Sequence, residues 1–130
     1  MLDAFSGDSI PLHLLTREAF RTYFKRLRPG GALAVHVSNQ FIDLEPLIHG
    51  LALDCGKKAA VIENWQDESK GVEASSWVLV TDNKRFLSDP LLRNEVIPWP
   101  KNSRTLVFTD QYSNLFSLID LKDILGGLGR

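Results

Sequence analysis

The run from Ala32 to Val37 restricts the fold more than any other feature: it lacks polar alternation, follows Pro29-Gly30-Gly31 and stops at Ser38-Asn39-Gln40. A strand with one wet face alternates between apolar and polar residues. A strand without that alternation is covered on both faces, as at the centre of an α/β sheet. The flanking segments can supply the cover. Ala19, Phe20, Tyr23, Phe24 and Leu27 recur at helical spacing behind Thr16, a candidate N-cap, with Glu18 in the first turn where the helix dipole favours a negative charge. Leu44, Leu47, Ile48, Leu51 and Cys55 make a second stripe, with Asp43 to cap it, Pro46 in its first turn and Gly56 to end it.

The rest of the chain extends this alternation. Leu2 to Phe5 reads as the end of a buried strand, and Ser6 to Pro11 is a loop of turn formers. Ala59 to Ile62 and Ser76 to Thr81 are further strands, separated by a connection short enough for them to lie antiparallel. The order strand, helix, strand, helix, strand, strand predicts an α/β fold with right-handed crossovers, helices on both faces and a last strand returning antiparallel. A short helix near Asp89 to Arg93, an irregular Pro98-Trp99-Pro100 stretch and a helix from about Asn114 to Leu125 make 84–130 a C-terminal extension. Residues 1–130 are expected to form one partial domain.

Composition narrows the function classes. With 44% hydrophobic and 24% charged residues the chain can build one core, and a net charge of −1 gives no field to recruit nucleic acid. Lys25, Arg26 and Arg28 fall at a helix end, where cations suit the dipole. The single cysteine, Cys55, can form neither an internal disulfide nor a zinc site, and it reads as a buried thiol in a reducing cytoplasm. No apolar stretch has membrane-spanning length, and the N-terminus lacks the basic start and long apolar region of a signal peptide. His13 and His49 are isolated, with no metal-ligand partners at suitable spacing. Trp65, Trp77 and Trp99 are most simply packing residues.

Three motifs carry a resemblance: Asp3-Ala4-Phe5-Ser6-Gly7-Asp8-Ser9-Ile10-Pro11-Leu12-His13-Leu14-Leu15-Thr16, Arg28-Pro29-Gly30-Gly31-Ala32-Leu33-Ala34-Val35-His36-Val37-Ser38-Asn39, and Thr109-Asp110-Gln111-Tyr112-Ser113-Asn114. In this order they resemble the C-terminal half of the spermidine-synthase-like family, within the class I S-adenosylmethionine-dependent methyltransferase superfamily, and especially the branch fused to transporter segments. The resemblance implies a Rossmann-like methyltransferase sheet. It also implies aminopropyl or methyl transfer from decarboxylated S-adenosylmethionine or S-adenosylmethionine to an amine. Asp3 matches the family's strand-end aspartate, which binds the amine and takes its proton; Asp8 matches the second loop aspartate only loosely. The family's compact Asp-Ser-Ser-Asp-Pro loop is altered here, since Phe5 and Gly7 intervene and Ile10 precedes the proline. His36 stands about where the synthases carry a glutamine.

The chemistry gives such an aspartate a use. A protonated amine cannot attack until it loses a proton, and a shielded carboxylate at a strand's carboxyl end can hold the cation and accept that proton. Asp3 is therefore the candidate catalytic residue, with Asp8, His36, Asn39, Asp110 and Tyr112 as candidate substrate-binding residues. Each has a plainer reading. Asp3 can bind loop amides, Asp8 can form an Asx turn, His36 can be a hydrogen-bonded core histidine and Asn39 a strand-ending turn residue. Asp110 and Tyr112 either line the site or cap the last helix.

No G-x-G-x-x-G-type element occurs in the sequence, and Gly30-Gly31 is a helix stop. In the family the nucleotide loop follows an earlier strand, so the pocket is expected to be incomplete, with no cofactor bound and no catalysis by this chain alone. The opening strand is then expected to expose an edge through which the chain self-associates. The alternative to a transferase fragment is a non-catalytic binding or assembly module derived from the same fold.

Overall fold

The two apolar stripes fold as helices that deliver the chain into one open sheet. The computed structural model describes the backbone of residues 2–3 and residues 11–38, 42–65, 68–71, 73–100 and 103–112. In chain order these hold β1 (Leu2–Asp3), α1 (Arg17–Arg26), β2 (Leu33–His36), α2 (Glu45–Asp54), β3 (Lys58–Asn64), β4 (Ser75–Thr81), α3 (Lys84–Leu87), α4 (Pro90–Glu95) and β5 (Val96–Ile97). Single 3-10 turns lie at Leu12–Leu14 and Glu68–Lys70.

The sheet runs β1-β2-β4-β3-β5, with β1 and β2 parallel and every other neighbouring pair antiparallel. This is a mixed α/β fold with helices on both faces of the sheet. The crossover through α2 skips one position, and β4 turns back to fill the gap between β2 and β3. That central place explains why β4 lacks polar alternation over Trp77-Val78-Leu79-Val80. Register then sets the two faces. Leu33 opposite Val80 and Val35 opposite Val78 point into a core shared with Phe20 of α1 and Leu47, Ile48 and Leu51 of α2. Ala34 opposite Leu79 and His36 opposite Trp77 form the other, half-buried face.

The helix ends follow the sequence signals closely. The Ala19 amide donates to Thr16 Oγ1 at 3.2 Å, so Thr16 is the cap of α1. At α2 the cap position is Leu44, and Asp43 acts one residue earlier by accepting from the Glu45 amide at 3.0 Å. Gly56, at φ +68°, ends α2: its amide donates to Leu53 O and the Lys57 amide to Ala52 O, which together satisfy the last turn. The helix expected near 89–93 is α4, capped by Asp89. Both α3 and β5, which pairs with β3, go beyond the sequence expectation. The helix expected from Asn114 lies outside the described residues. Trp65 is 77% exposed and belongs to no core.

A strap lies over α2. All residues from Leu47 to Ala52 are buried, so α2 is covered on the side away from the sheet as well as on the side facing it. The outer cover comes from the irregular chain after β5. The Leu106 amide donates to Pro46 O at 3.0 Å, and the Arg17 amide donates to Phe108 O at 2.8 Å. Phe108 is 1% exposed and joins the core. Gly50 permits this close approach, because a Cβ there would sit 1.9 Å from Leu106 O. Beside it, Arg17 grips Asp54 through both Nε and Nη2, each at 2.9 Å, fixing α1 against α2. Just beyond the end of α2, Lys57 pairs with Asp82 and lies over the Phe24 ring.

Candidate functional site

In an open sheet with parallel strands, ligands gather beyond the carboxyl ends of those strands. β1 and β2 are the parallel pair, and their last residues, Asp3 and His36, stand opposite each other in register. The sequence thus nominated two residues that the backbone brings side by side. Asp8 and Asn39 lie outside the described residues.

His36 is held from two directions. Its ring stacks on Trp77 of β4 at a centroid separation of 4.7 Å and 26° between planes. Its Nε2 lies 2.9 Å from Ser38 Oγ, and that oxygen also accepts from the Ser76 amide at 2.7 Å. With one lone pair committed to Ser76, the Ser38 hydroxyl either donates to Nε2 or accepts from it, so the imidazole tautomer sets the direction. The result is a half-buried aromatic shelf next to the end of β1, with a polar atom fixed at its rim. Both readings of His36 fit this geometry in part: it is hydrogen-bonded, and it sits at a strand end on the half-buried face.

Carboxylates border the same edge. Glu45 opens α2 just after β2, and burial pushes its carboxyl up from the usual range, helped by the negative charges of Asp43 and Glu63. Glu63 lies near the carboxyl end of β3, which runs parallel to β2. Such a border favours a cation, which would relieve the mutual repulsion of these groups. Among the described residues no group of three or more His, Cys, Asp or Glu is arranged to hold a metal ion.

Asp110 sits at the start of α1. Thr16 Oγ1 donates to Asp110 Oδ1 at 2.6 Å, and the Asp110 amide donates to Glu18 Oε2 at 2.9 Å. Thr16 therefore caps its helix while anchoring the strap, and Asp110 has a structural role whatever else it does. Tyr112 closes a tight turn with Thr109 and is 63% exposed. The thiol of Cys55 is half-buried and pushed up, first by burial and then by Asp54, which keeps it protonated and poorly nucleophilic.

Sequence reasoning passed over His49 as isolated. It is 6% exposed, stacked on Trp99 at 3.8 Å and 16°, and its Nε2 is buried with no hydrogen-bond partner. The available signal was a histidine in a helix that is apolar on every side, which implies a covering segment elsewhere in the chain.

Comparison with family models, characterised proteins and solved structures gives no significant match. No helix of the described residues is long and apolar enough to cross a membrane. Among the described residues the sheet is open, and β1 is one of its two edge strands.

Proposed function

We propose that this chain is the acceptor-side, C-terminal portion of a spermidine-synthase-like, S-adenosylmethionine-dependent transferase, and that it is inactive without a nucleotide-binding portion. The observation that carries the reading is the strand order β1-β2-β4-β3, in which the last long strand returns antiparallel between its two predecessors. The resemblance implies a last strand that returns antiparallel, and the antiparallel return of β4 agrees with that ending. The acidic border at Glu45, Asp43 and Glu63 supports a cationic acceptor.

In this reading Asp3 binds the protonated amine and takes one proton from it; the freed lone pair then attacks the alkyl carbon of the sulfonium donor, whose C–S bond breaks so that the neutral thioether nucleoside leaves with the bonding pair. His36 and Trp77 form the floor beside it. The donor, S-adenosylmethionine or its decarboxylated form, lies mainly against glycine-rich elements that this sequence lacks. The β1 edge of the sheet is where the complementary portion, or a second copy, adds.

The test is nucleoside binding. The codons directly upstream of Met1 are translated in frame, and the longer product is titrated with 5′-methylthioadenosine beside the 130-residue chain. The reading expects a glycine-rich strand-loop-helix upstream, micromolar binding by the longer product and binding at least about a hundredfold weaker by the chain alone. An immediate in-frame stop codon upstream, or a longer product that binds no nucleoside, would overturn it.

A further inference from the structure

The strap over α2 is closed on a single ionisable group. His49 is 6% exposed, its ring lies flat against Trp99, and its Nε2 reaches neither a protein partner nor the surface. A buried donor or acceptor left unpaired is costly even when neutral, and a charged imidazolium in that position costs far more. The contacts that hold the strap around it include the Leu106 amide on Pro46 O, the carbonyl of Phe108 on the Arg17 amide, and Phe108 itself in the core. We infer that Trp99 and residues 103–109 form a pH-gated strap: a proton taken up by His49 drives Trp99 off its ring and lifts the strap from α2 while the sheet stays folded.

The charged groups on the packed elements do not relieve the buried cation. On α2 itself, Glu45 is one turn away and is engaged with the repulsion of Asp43 and Glu63, and Asp54 is held by Arg17 and Arg21 of α1. β3 contributes Lys58 and Glu63, and β4 has no ionisable side chain between Ser75 and Thr81. The strap adds Arg104, itself a cation. Burial alone accounts for the depressed basicity of His49, whose pKa falls to about 4, so none of these carboxylates stabilises the proton. Opening the strap returns the imidazole to water and to its ordinary basicity, which couples proton uptake to release. Release would uncover the outer face of α2 around His49 and Gly50.

The test is backbone amide exchange, corrected for intrinsic pH dependence, on the wild-type chain and His49→Phe between pH 7.5 and 4.5. The expected result is a loss of protection at the Leu106 amide of roughly tenfold or more on acidification of the wild type. The Val78 and Val80 amides stay protected, and His49→Phe keeps its strap closed throughout. His49→Leu serves the same purpose if the phenylalanine variant does not fold. Equal strap protection at both ends of the pH range would overturn the inference. So would the same acid loss in the neutral variant, or loss of the sheet amides together with the strap.

Discussion

Replacing Gly50 by alanine sets a local gain against a tertiary loss. In an exposed helix interior, glycine to alanine stabilises by about 1 kcal/mol, because alanine forfeits less backbone entropy. Here the new Cβ would lie 1.9 Å from the carbonyl oxygen of Leu106 and 2.7 Å from its carbonyl carbon. Those are backbone atoms, so no rotamer change relieves the overlap, and the strap must move outward by more than about 1 Å to restore van der Waals distance. That displacement breaks the hydrogen bond from the Leu106 amide to Pro46 O, worth about 1 kcal/mol. It also loosens Phe108, whose full burial contributes about 2–3 kcal/mol. Set against the helix gain, the net expectation is a destabilisation of about 2–3 kcal/mol. Urea unfolding followed by far-ultraviolet circular dichroism would show it as a lowered midpoint. An alanine variant as stable as the parent, or more stable, would refute the close docking of the strap on α2.

Thr16→Val removes both the cap on Ala19 and the bond to Asp110, and should lower stability by about 2 kcal/mol in the same assay. Asp54→Asn, at a side chain 18% exposed, weakens the two-point grip of Arg17 and should cost about 1–2 kcal/mol, with part of the loss disappearing at high salt. For His49, the folded pKa of about 4 lies below the unfolded value of about 6.5, so the unfolded chain binds more protons between them. The stability associated with the neutral ring is therefore complete above about pH 6.5 and is lost as pH falls towards 4, by about 3 kcal/mol at most. Unfolding midpoints from pH 7.5 to 4 should show this slope in the wild type and a shallower one in His49→Phe.

Local signals made much of the fold legible. Thr16, Gly56 and the stripes of α1 and α2 acted through contacts a few residues away, and the antiparallel pairing of β3 with β4 followed from their short connection. The insertion of β4 between β2 and β3 was not legible, since strand order depends on which neighbour offers the better-matched apolar row. The strap was least legible of all. Trp99 and residues 103–109 have no periodicity, and their place is fixed by Gly50 and His49, which look ordinary or isolated until Leu106 and Trp99 are set against them. At the candidate site, Asp3 and His36 were chosen by motif, and the parallel register sets them side by side. The Trp77 shelf and the Ser38–Ser76 bond arise from β4 and could not be read along the chain.

The account stands or falls on the end of β1 as the acceptor side of a transferase. The most direct measurement is steady-state transfer to a diamine by the upstream-extended product, with Asp3 and with Asp3→Asn, at saturating decarboxylated S-adenosylmethionine. The account predicts a fall in kcat of about a hundredfold or more with nucleoside affinity unchanged, as for removal of a general base. Equal turnover by the two proteins would contradict it.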